Sequence, residues 1–209
     1  MDFNFTQPYV LGDFKEWHKG IPYYGFWALE IDSEKVLSEI FNAQSQLTPI
    51  LHAGYQRQPH ITLLACGLMD ENYFSAATLT KQINELKELN IDCFDLNFLT
   101  FNSFSTCPYL ALEKPPILDQ IRQGLMRYQA EDSPCEYTPH ITLGFYNDVY
   151  EKSDIESKLR TLEKTLALTT QTVSSIVFAR YNTSDLQGPY EVLERICLNN
   201  KQGQILSNT

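Results

Sequence analysis

The stretch QPHITLLACG, residues 58–67, carries the main signal of the fold, because its core recurs as TPHITLGFYN at residues 138–147. The pentapeptide Pro-His-Ile-Thr-Leu therefore occurs twice in a chain of 209 residues that contains only four histidines. Each copy places a histidine at the head of an apolar stretch that is otherwise typical of a buried β-strand. A repeated match of this length around a rare residue predicts two corresponding halves, each built around one copy of the motif.

Strand geometry assigns the residues of the motif to two faces, because side chains alternate along a strand with a period of two. The histidine and the threonine of each copy point to one face, and the two aliphatic residues point to the other. The polar faces carry His60 and Thr62, and His140 and Thr142. The aliphatic faces, which we expect to be buried, carry Ile61, Leu63, Ile141 and Leu143.

Two imidazoles on either side of a cleft suit the chemistry of phosphodiesters. Histidine titrates near pH 6.5, so one imidazole can be neutral while the other is protonated. The neutral ring removes a proton from the attacking hydroxyl or water, and the charged ring protonates the leaving oxygen. The threonine hydroxyls donate hydrogen bonds to the phosphate oxygens, where negative charge accumulates. This scheme needs no metal and no cofactor.

A single His-x-Thr in a strand is usually accidental, but the duplication of the whole pentapeptide favours a functional site. A metal site is less favoured, because the motif histidines lack carboxylate or cysteine partners at ligand spacing. The two other histidines, His18 and His52, have no repeated context and are predicted to be ordinary surface or loop residues.

The charge of the chain restricts the size of its partners. The formal net charge is −10, from 16 basic and 26 acidic side chains. Long nucleic acid is bound through many cationic contacts to phosphates, so we expect no such partner. A small nucleotide or an RNA terminus needs only a few donors. No segment approaches the roughly 20 apolar residues that span a membrane, and we expect a monomer without a membrane partner.

The cysteines and the N-terminus predict a cytoplasmic protein. There are five cysteines, an odd number without Cys-x-x-Cys spacing, which favours reduced thiols. Cys66 and Cys197 lie in apolar stretches and are predicted to be small core residues. The first residues lack a basic start and a long apolar run, so we expect no secretory signal.

Apolar patterning predicts alternating strands and helices, with one motif strand in each half. Besides the motif strands, the predicted strands are residues 21–31, 91–104, 108–113, 173–181 and 190–198. Helical spacing of apolar residues predicts four helices within 36–47, 79–86, 116–128 and 155–166. The predicted fold class is α+β, a single bilobal domain of residues 1–209 in which helices cover largely antiparallel sheet.

The ends of these elements have local signals. Asp70 is predicted to cap the second helix, and Ser153 with Glu156 has the spacing of a capping box for the fourth. Residues 1–20 form an N-terminal extension before the first strand. The polar residues 199–209 are predicted to be a loose tail.

The two His-x-Thr motifs, about eighty residues apart, resemble those of the 2H phosphoesterases, which include the bacterial RNA 2′,3′-cyclic phosphodiesterase and 2′-5′ RNA ligase group. Three further stretches resemble the opening strand, the central strand and helix, and the closing hairpin of that group: YGFWALEI (24–31), CPYLALEKPPILDQIRQGL (107–125) and VFARYNTSDLQGPYEVLERICL (177–198). The resemblance implies a pseudo-two-fold fold whose antiparallel sheets line a central cleft, with the helices outside. It also implies catalytic roles for His60, Thr62, His140 and Thr142.

Five residues near the predicted cleft are candidates for substrate binding. Tyr24 and Phe26 share one face of the opening strand, where an aromatic ring can stack on a base. Arg57 precedes His60 by three residues and Arg180 ends an apolar strand, so either guanidinium can pair with phosphate. Tyr190 opens the last strand and is predicted to line the cleft.

We therefore expect a metal-independent phosphodiesterase, a hydrolase acting on a 2′,3′-cyclic phosphate of a small nucleotide or RNA end. One alternative keeps the chemistry but changes the bond to a 2′-5′ linkage or a cyclic (oligo)nucleotide. A second is a nucleotide-binding module without turnover, which would not need two proton-transferring groups. A metal-dependent hydrolase is the most distant alternative, and activity in excess chelator would exclude it.

Overall fold

Strands and helices alternate along the chain as the apolar pattern predicts. The computed structural model describes residues 1–131, 136–164 and 170–200. The strands are β1 (Tyr23–Glu30), β2 (His60–Leu68), β3 (Phe94–Ser103), β4 (Pro108–Leu112), β5 (His140–Thr142), β6 (Thr170–Val173), β7 (Ser175–Asn182) and β8 (Tyr190–Cys197). The helices are α1 (Lys15–His18), α2 (Glu34–Leu47), α3 (Ala76–Glu88), α4 (Pro116–Met126) and α5 (Lys152–Glu163).

The strands form two four-stranded antiparallel sheets, and each sheet defines one lobe. The strand order is β2-β1-β7-β8 in the first lobe and β5-β4-β3-β6 in the second. The two motif strands, β2 and β5, therefore lie at corresponding edges of their sheets. The predicted α+β class and the two-lobed antiparallel architecture are confirmed.

One apolar core runs through both lobes. Trp27 and Leu29 of β1 belong to it, together with Leu96 of β3 and Leu110 of β4. Helix α4 packs on β2 and on α3, and α5 packs on β3. The helices therefore cover the faces of the sheets that point away from the polar faces of the motifs.

The apolar residues of helix α2 recur at a spacing that places most of them on one side of the helix, and this side is buried. Val36, Ile40 and Leu47 lie in the core, and the side chain of Ser33 accepts a hydrogen bond from the N–H of Val36 at the start of the helix. Phe41 has the same helical spacing but is exposed, because it lies just outside the face that the core covers.

The predicted cap of α3 is wrong. The helix begins at Ala76, and the hydroxyl of Ser75 accepts a hydrogen bond from the N–H of Thr78 at 3.2 Å. Asp70 instead accepts from the N–H of Asn72 in a turn that follows β2. An Asx turn satisfies that carboxylate locally, so it does not reach the helix.

The predicted capping box of α5 is also wrong. The helix begins at Lys152, after Glu151, and Ser153 lies inside the first turn. The reason is tertiary, because Glu151 is bridged to Phe5 and the N–H of Lys152 donates to the carbonyl of Asn4. The predicted continuation of this helix to Leu166 lies outside the described residues.

Of the two cysteines that were predicted to be core residues, one is buried and the other is exposed. Cys66 is buried, but Cys197 is exposed, because it lies at the end of an edge strand on the face opposite the buried Ile196.

Asn199, at the start of the predicted loose tail, exchanges backbone hydrogen bonds with Ile91 and Cys93. Residues 201–209 of that tail, and Cys135, lie outside the described residues.

The lobes are joined beside the first motif by side chains of the second half. The phenol of Tyr137 donates to the carbonyl of Thr62 at 2.9 Å, and the guanidinium of Arg122 donates to the carbonyl of Leu63. Arg122 also forms a bidentate pair with Glu131 at 2.8 and 3.0 Å and stacks 3.8 Å over the ring of Tyr137. Strand β2 is thus attached to the segment that leads directly into the second motif.

Replacement of this buried guanidinium should weaken the whole fold. In Arg122→Met the carbonyl of Leu63 and the carboxylate of Glu131 lose their partner, and breaking a buried pair typically costs about 3 kcal/mol. We expect a loss of this size in the free energy of unfolding, measured by urea denaturation. Arg160→Met is the matched control, because Arg160 is 74% exposed in its pair with Glu156 and should contribute less than about 1 kcal/mol. Equal effects of the two substitutions would contradict this account of the lobe contact.

Candidate active site

Strand alternation places the residues of both motifs as the sequence predicts. The four aliphatic side chains are buried in the core: Ile61, Leu63, Ile141 and Leu143. The histidines and threonines lie on the opposite faces and are half-buried. In β2, Thr62 pairs with Ala28 of β1, whose small side chain leaves room above the sheet.

The two imidazoles are held by the same local contact. The Nδ1 atom of His60 lies 2.8 Å from the carbonyl oxygen of Gln58, and that of His140 lies 2.7 Å from the carbonyl oxygen of Thr138. A carbonyl oxygen only accepts, so Nδ1 carries the proton and Nε2 carries the lone pair in each neutral ring. Within the described residues, neither Nε2 atom takes a hydrogen-bond partner. Each motif thus presents an unprotonated nitrogen.

Aromatic rings fix the orientation of both imidazoles. His60 lies 5.2 Å from the ring of Phe26 and 5.2 Å from that of Tyr190. His140 lies 4.9 Å from Phe104 and 5.3 Å from Tyr109. The two lobes therefore use the same construction, in which one imidazole is wedged between two aromatic side chains.

Burial favours the neutral form of both histidines. The pKa of His60 is lowered to about 4, mainly by burial and also by the positive charges of Arg57 and His140, against the opposing effect of the hydrogen bond to the Gln58 carbonyl. Burial also lowers the pKa of His140, again opposed by a carbonyl bond, here to Thr138. The strands that carry the two rings, β2 and β5, are in contact with each other.

A cavity of about 280 Å³ opens beside the first motif. His60 and Thr62 line it together with Tyr24, Phe26 and Arg57. Three of the five residues predicted to bind substrate are therefore brought to one site with the first motif. The cavity is small for a whole nucleotide but adequate for a phosphate and part of its ribose.

Arg57 is the cation of this cavity. Its guanidinium donates to the carbonyls of Leu186 and Gly188, at 2.9 Å each, and stacks 4.0 Å over the ring of Tyr181. Burial lowers the pKa of Arg57, and nearby tyrosine and aspartate side chains oppose the shift. A guanidinium held in place by backbone carbonyls is a rigid partner for an anion.

Arg180, the second arginine predicted to bind phosphate, does not reach the cleft. Arg180 pairs across the sheet with Gly25 and Glu191, whereas its neighbour Ala179 faces the cleft side. Its side chain lies over Tyr23 and forms a salt bridge with Glu191 at 2.9 Å. Because alternation turns Arg180 to the opposite face, the structure contradicts its placement as a phosphate partner.

Tyr190 lies beside the motif rather than in the cavity. Its ring packs at 5.6 Å against Phe26 and supports His60, and the residue is buried. Its position near the cleft agrees with the prediction, but its contacts are those of a residue that positions the imidazole.

Two aromatic residues that line the cavity were not predicted from the sequence. Tyr181 stacks on Tyr24 at 5.3 Å, and Trp17 of α1 stacks on Tyr24 at 5.7 Å. Alternation from Ala179 could have found Tyr181, since residues two apart share a face. Nothing near Trp17 signals its position, which depends on how the N-terminal extension crosses the protein.

The second motif has its own surroundings. The hydroxyl of Thr142 contacts the thiol of Cys107, whose pKa burial raises to about 11. The ring of Tyr9 is close by: burial raises its pKa, and Cys107 and Arg57 act on it with opposite signs. Tyr9 thus lies between the surroundings of the two motifs.

The remaining histidines are held differently from the motif histidines. His18 is buried, which contradicts the prediction of a surface residue, because its Nε2–H donates to Asp13 at 2.6 Å and its Nδ1 accepts from the N–H of Gly20. His52 lies in a loop, and its Nε2–H donates to the carbonyl of Tyr9 at 2.8 Å. Both carry the proton on Nε2, the opposite tautomer to the motif histidines.

The described part of the chain lacks two further features. No group of three or more His, Cys, Asp or Glu side chains there could hold a metal ion. No helix among the same residues is long and apolar enough to cross a membrane.

Two corresponding lobes, each with a His-x-Thr edge strand, define the architecture of the 2H phosphoesterases. The chain belongs to the 2′-5′ RNA ligase superfamily, whose family model matches residues 39–185. Comparison with curated proteins finds no match.

Solved structures with the same fold include Escherichia coli LigT complexed with 3′-AMP, at 19% identity and a TM-score of 0.60, covering 85% of this chain and 99% of that one. A Thermus thermophilus protein is similar at 16% identity and a TM-score of 0.56, with the same coverage. A conserved protein of unknown function from Agrobacterium tumefaciens matches at 12% identity and a TM-score of 0.56, covering 90% and 92%. These likenesses establish the fold.

The histidine contacts predict a distinctive nuclear magnetic resonance pattern. Long-range ¹H–¹⁵N spectra at neutral pH should show His60 and His140 as Nδ1–H tautomers and His18 and His52 as Nε2–H tautomers. On acidification His60 should become protonated only near pH 4, and His140 below the usual 6.5, because burial disfavours the charged rings. A motif histidine that is protonated at pH 7, or that carries its proton on Nε2, would contradict this geometry.

Proposed function

We propose that the chain is a metal-independent phosphodiesterase that hydrolyses a 2′,3′-cyclic phosphate on a small nucleotide or RNA end. The observation that carries the proposal is the identical anchoring of two imidazoles, each with Nδ1–H bound to a carbonyl and Nε2 unprotonated. A module that only binds nucleotides would not need two matched groups able to transfer protons.

The roles of the two histidines follow from their electrostatic difference. Burial and Arg57 both favour neutral His60, so its Nε2 is available to take the proton of the attacking water. As oxygen attacks phosphorus, Nε2 of His60 takes that proton and His140, once protonated, gives its own to the leaving ribose oxygen. One P–O bond forms and one breaks, so the cyclic diester becomes a monoester. A reaction that breaks the other ester bond exchanges the two roles.

Substrate binding raises the pKa of the imidazole that acts as the acid, and this ring takes its proton from the solvent. Both imidazoles favour the neutral form in the free protein, but an anionic phosphate placed between them favours the charged form. Thr62 and Thr142 donate hydrogen bonds to non-bridging oxygens in this arrangement, and the fixed guanidinium of Arg57 balances their charge. Acid–base chemistry thus begins when the phosphate arrives.

Two observations support the proposed ligand class: the ligands of similar proteins and the net charge of this chain. Structures of E. coli LigT contain 3′-AMP and ATP. With a net charge of −10, this chain repels a long polyanion at long range. The name of the superfamily favours a 2′-5′ linkage as the alternative bond, which the same acid–base pair could cleave.

A panel of 2′,3′-cyclic mononucleotides, 2′-5′ dinucleotides and cyclic dinucleotides tests the proposal, with products resolved as 2′- or 3′-phosphates. We expect turnover of the cyclic mononucleotides. Turnover of the 2′-5′ dinucleotides alone would establish the alternative bond, and nucleotide binding without turnover of any compound would overturn the enzymatic proposal.

Substitutions in the motifs should separate proton transfer from phosphate binding. We expect His60→Ala and His140→Ala each to lower kcat by about 10²-fold or more, because each removes one proton transfer. Thr62→Val and Thr142→Val should lower it about tenfold, since each removes one hydrogen bond to a charged group. Thr161→Val on α5, whose hydroxyl bonds only within its helix, is the matched control and should be neutral. Near-normal turnover in either histidine variant would exclude the two-imidazole mechanism.

The pH dependence should differ between the free and the bound enzyme. The kcat profile should be bell-shaped near neutrality, because one ring must be neutral and the other charged. The pH dependence of kcat/KM reports the free enzyme. Its optimum should lie at lower pH than that of kcat, because burial lowers the pKa values of His60 and His140 in the free enzyme. Full activity is expected in excess chelator. A profile with a single limb and loss of activity in chelator would indicate a metal-bound hydroxide instead.

A further inference from the structure

The N-terminal extension is attached firmly to the second lobe. Thr6 is buried: its hydroxyl donates to the carbonyl of Asp148 and accepts from the N–H of Tyr150, whose carbonyl in turn accepts from the N–H of Thr6. Three residues further along, the N–H of Tyr9 donates to the carbonyl of Tyr146 at 2.9 Å, and the ring of Tyr9 stacks on that of Phe145 at 4.1 Å. The course of this segment is therefore fixed up to the edge of the cleft.

The extension then crosses to the first lobe. The contact of His18 with Asp13 holds α1 together, and the hydroxyl of Thr183, which follows β7, donates to the carbonyl of Ile21 just after the helix. The crossing brings Trp17 to the cavity that contains His60 and Thr62. Trp17 lies outside the residues that the family model matches.

Trp17 separates two adjoining cavities. One is the cavity of the first motif, and the other, of about 400 Å³, is lined by Lys19, Asn72 and Gln129 among others. Trp17 and Tyr24 line both cavities. The indole is 39% exposed although its ring stacks on Tyr24, so a large aromatic surface remains accessible beside the predicted phosphate position.

We propose that Trp17 is a substrate-binding residue that stacks on the base of the substrate nucleotide. The inference rests on the proposed function, in which the phosphate lies between the two imidazoles and contacts Thr62 and Arg57. A base attached to that phosphate through a ribose extends beyond the small first cavity, and the indole is the aromatic surface at its boundary. The polar side chains of the second cavity then lie beside the edge of the base. Stacking of this kind tolerates any base and is strongest for purines.

The chain provides its own probe for this contact. It has two tryptophans, and the second, Trp27, is fully buried on the other face of β1 with its indole N–H bound to Gln82. Quenching of the exposed indole emission therefore reports on Trp17. We expect titration with 3′-AMP to quench this emission and titration with inorganic phosphate, which has no base, to leave it unchanged.

A matched set of variants gives the energetic test by calorimetry. Trp17→Leu should raise the Kd for 3′-AMP about tenfold while the affinity for inorganic phosphate is unchanged, and Trp17→Phe should restore most of the nucleotide affinity. Phe41→Leu, which changes an exposed aromatic residue on α2, is the control and should have no effect. Equal weakening of 3′-AMP and phosphate, or no weakening of either, would overturn the inference.

The inference and the proposed function fail in different ways. If 3′-AMP quenches Trp17 but no cyclic phosphate is hydrolysed, the base contact stands and the enzymatic proposal falls. If cyclic nucleotides are hydrolysed with the same KM by the wild type and by Trp17→Leu, and no quenching occurs, the enzyme stands and the base contact falls.

Discussion

The hydrogen bonds from Tyr137 and Arg122 to the carbonyls of Thr62 and Leu63 are the contact on which the geometry of the site depends. They attach the edge strand of one sheet to helix α4, which carries Arg122, and to Tyr137, which lies just before the motif of the other sheet. Without them, two similar lobes could lie side by side with their histidines far apart. The contact is buried and charge-assisted, so it fixes register as well as proximity. A three-residue strand such as β5 has little pairing of its own to hold His140 in place.

Local backbone geometry explains why the repeated sequence begins with proline. In each copy the imidazole binds the carbonyl of the residue before that proline, at Gln58 and Thr138. A residue before proline is restricted to extended conformations, which keeps its carbonyl directed at the ring. The pentapeptide therefore encodes a complete local unit: a rigid carbonyl, an oriented imidazole, a buried aliphatic anchor and a hydroxyl on the same face. Two such units give the symmetry of the site without symmetry elsewhere in the sequence.

Much of the fold and the centre of the site could be predicted, because both depend on periodicity that the sequence shows directly. The alternation of side chains along a strand correctly predicted that Ile61 and Ile141 are buried and that Phe26 lies beside His60. The failures have different causes. Arg180 lies one residue away from the face it was assigned to, Asp70 accepts a hydrogen bond in a local turn with Asn72, and the start of α5 is set by contacts with the distant N-terminal segment rather than by Ser153. His18 and Trp17 could not be placed because α1 is too short to carry a pattern, and only its crossing between the lobes determines its surroundings.

The N-terminal extension has a consequence for how the cleft responds to a ligand. A site between two lobes commonly closes by hinge bending, and part of the binding free energy is then consumed by reorganisation. Here a continuous core, the Arg122 contact and the bonds of Thr6 and Tyr9 oppose such bending at separate points. The donors and rings are therefore preorganised, and charge developing on the phosphate meets dipoles that are already oriented. The protein should behave as a rigid receptor, in which affinity is decided by the shape of the ligand rather than by the ease of closure.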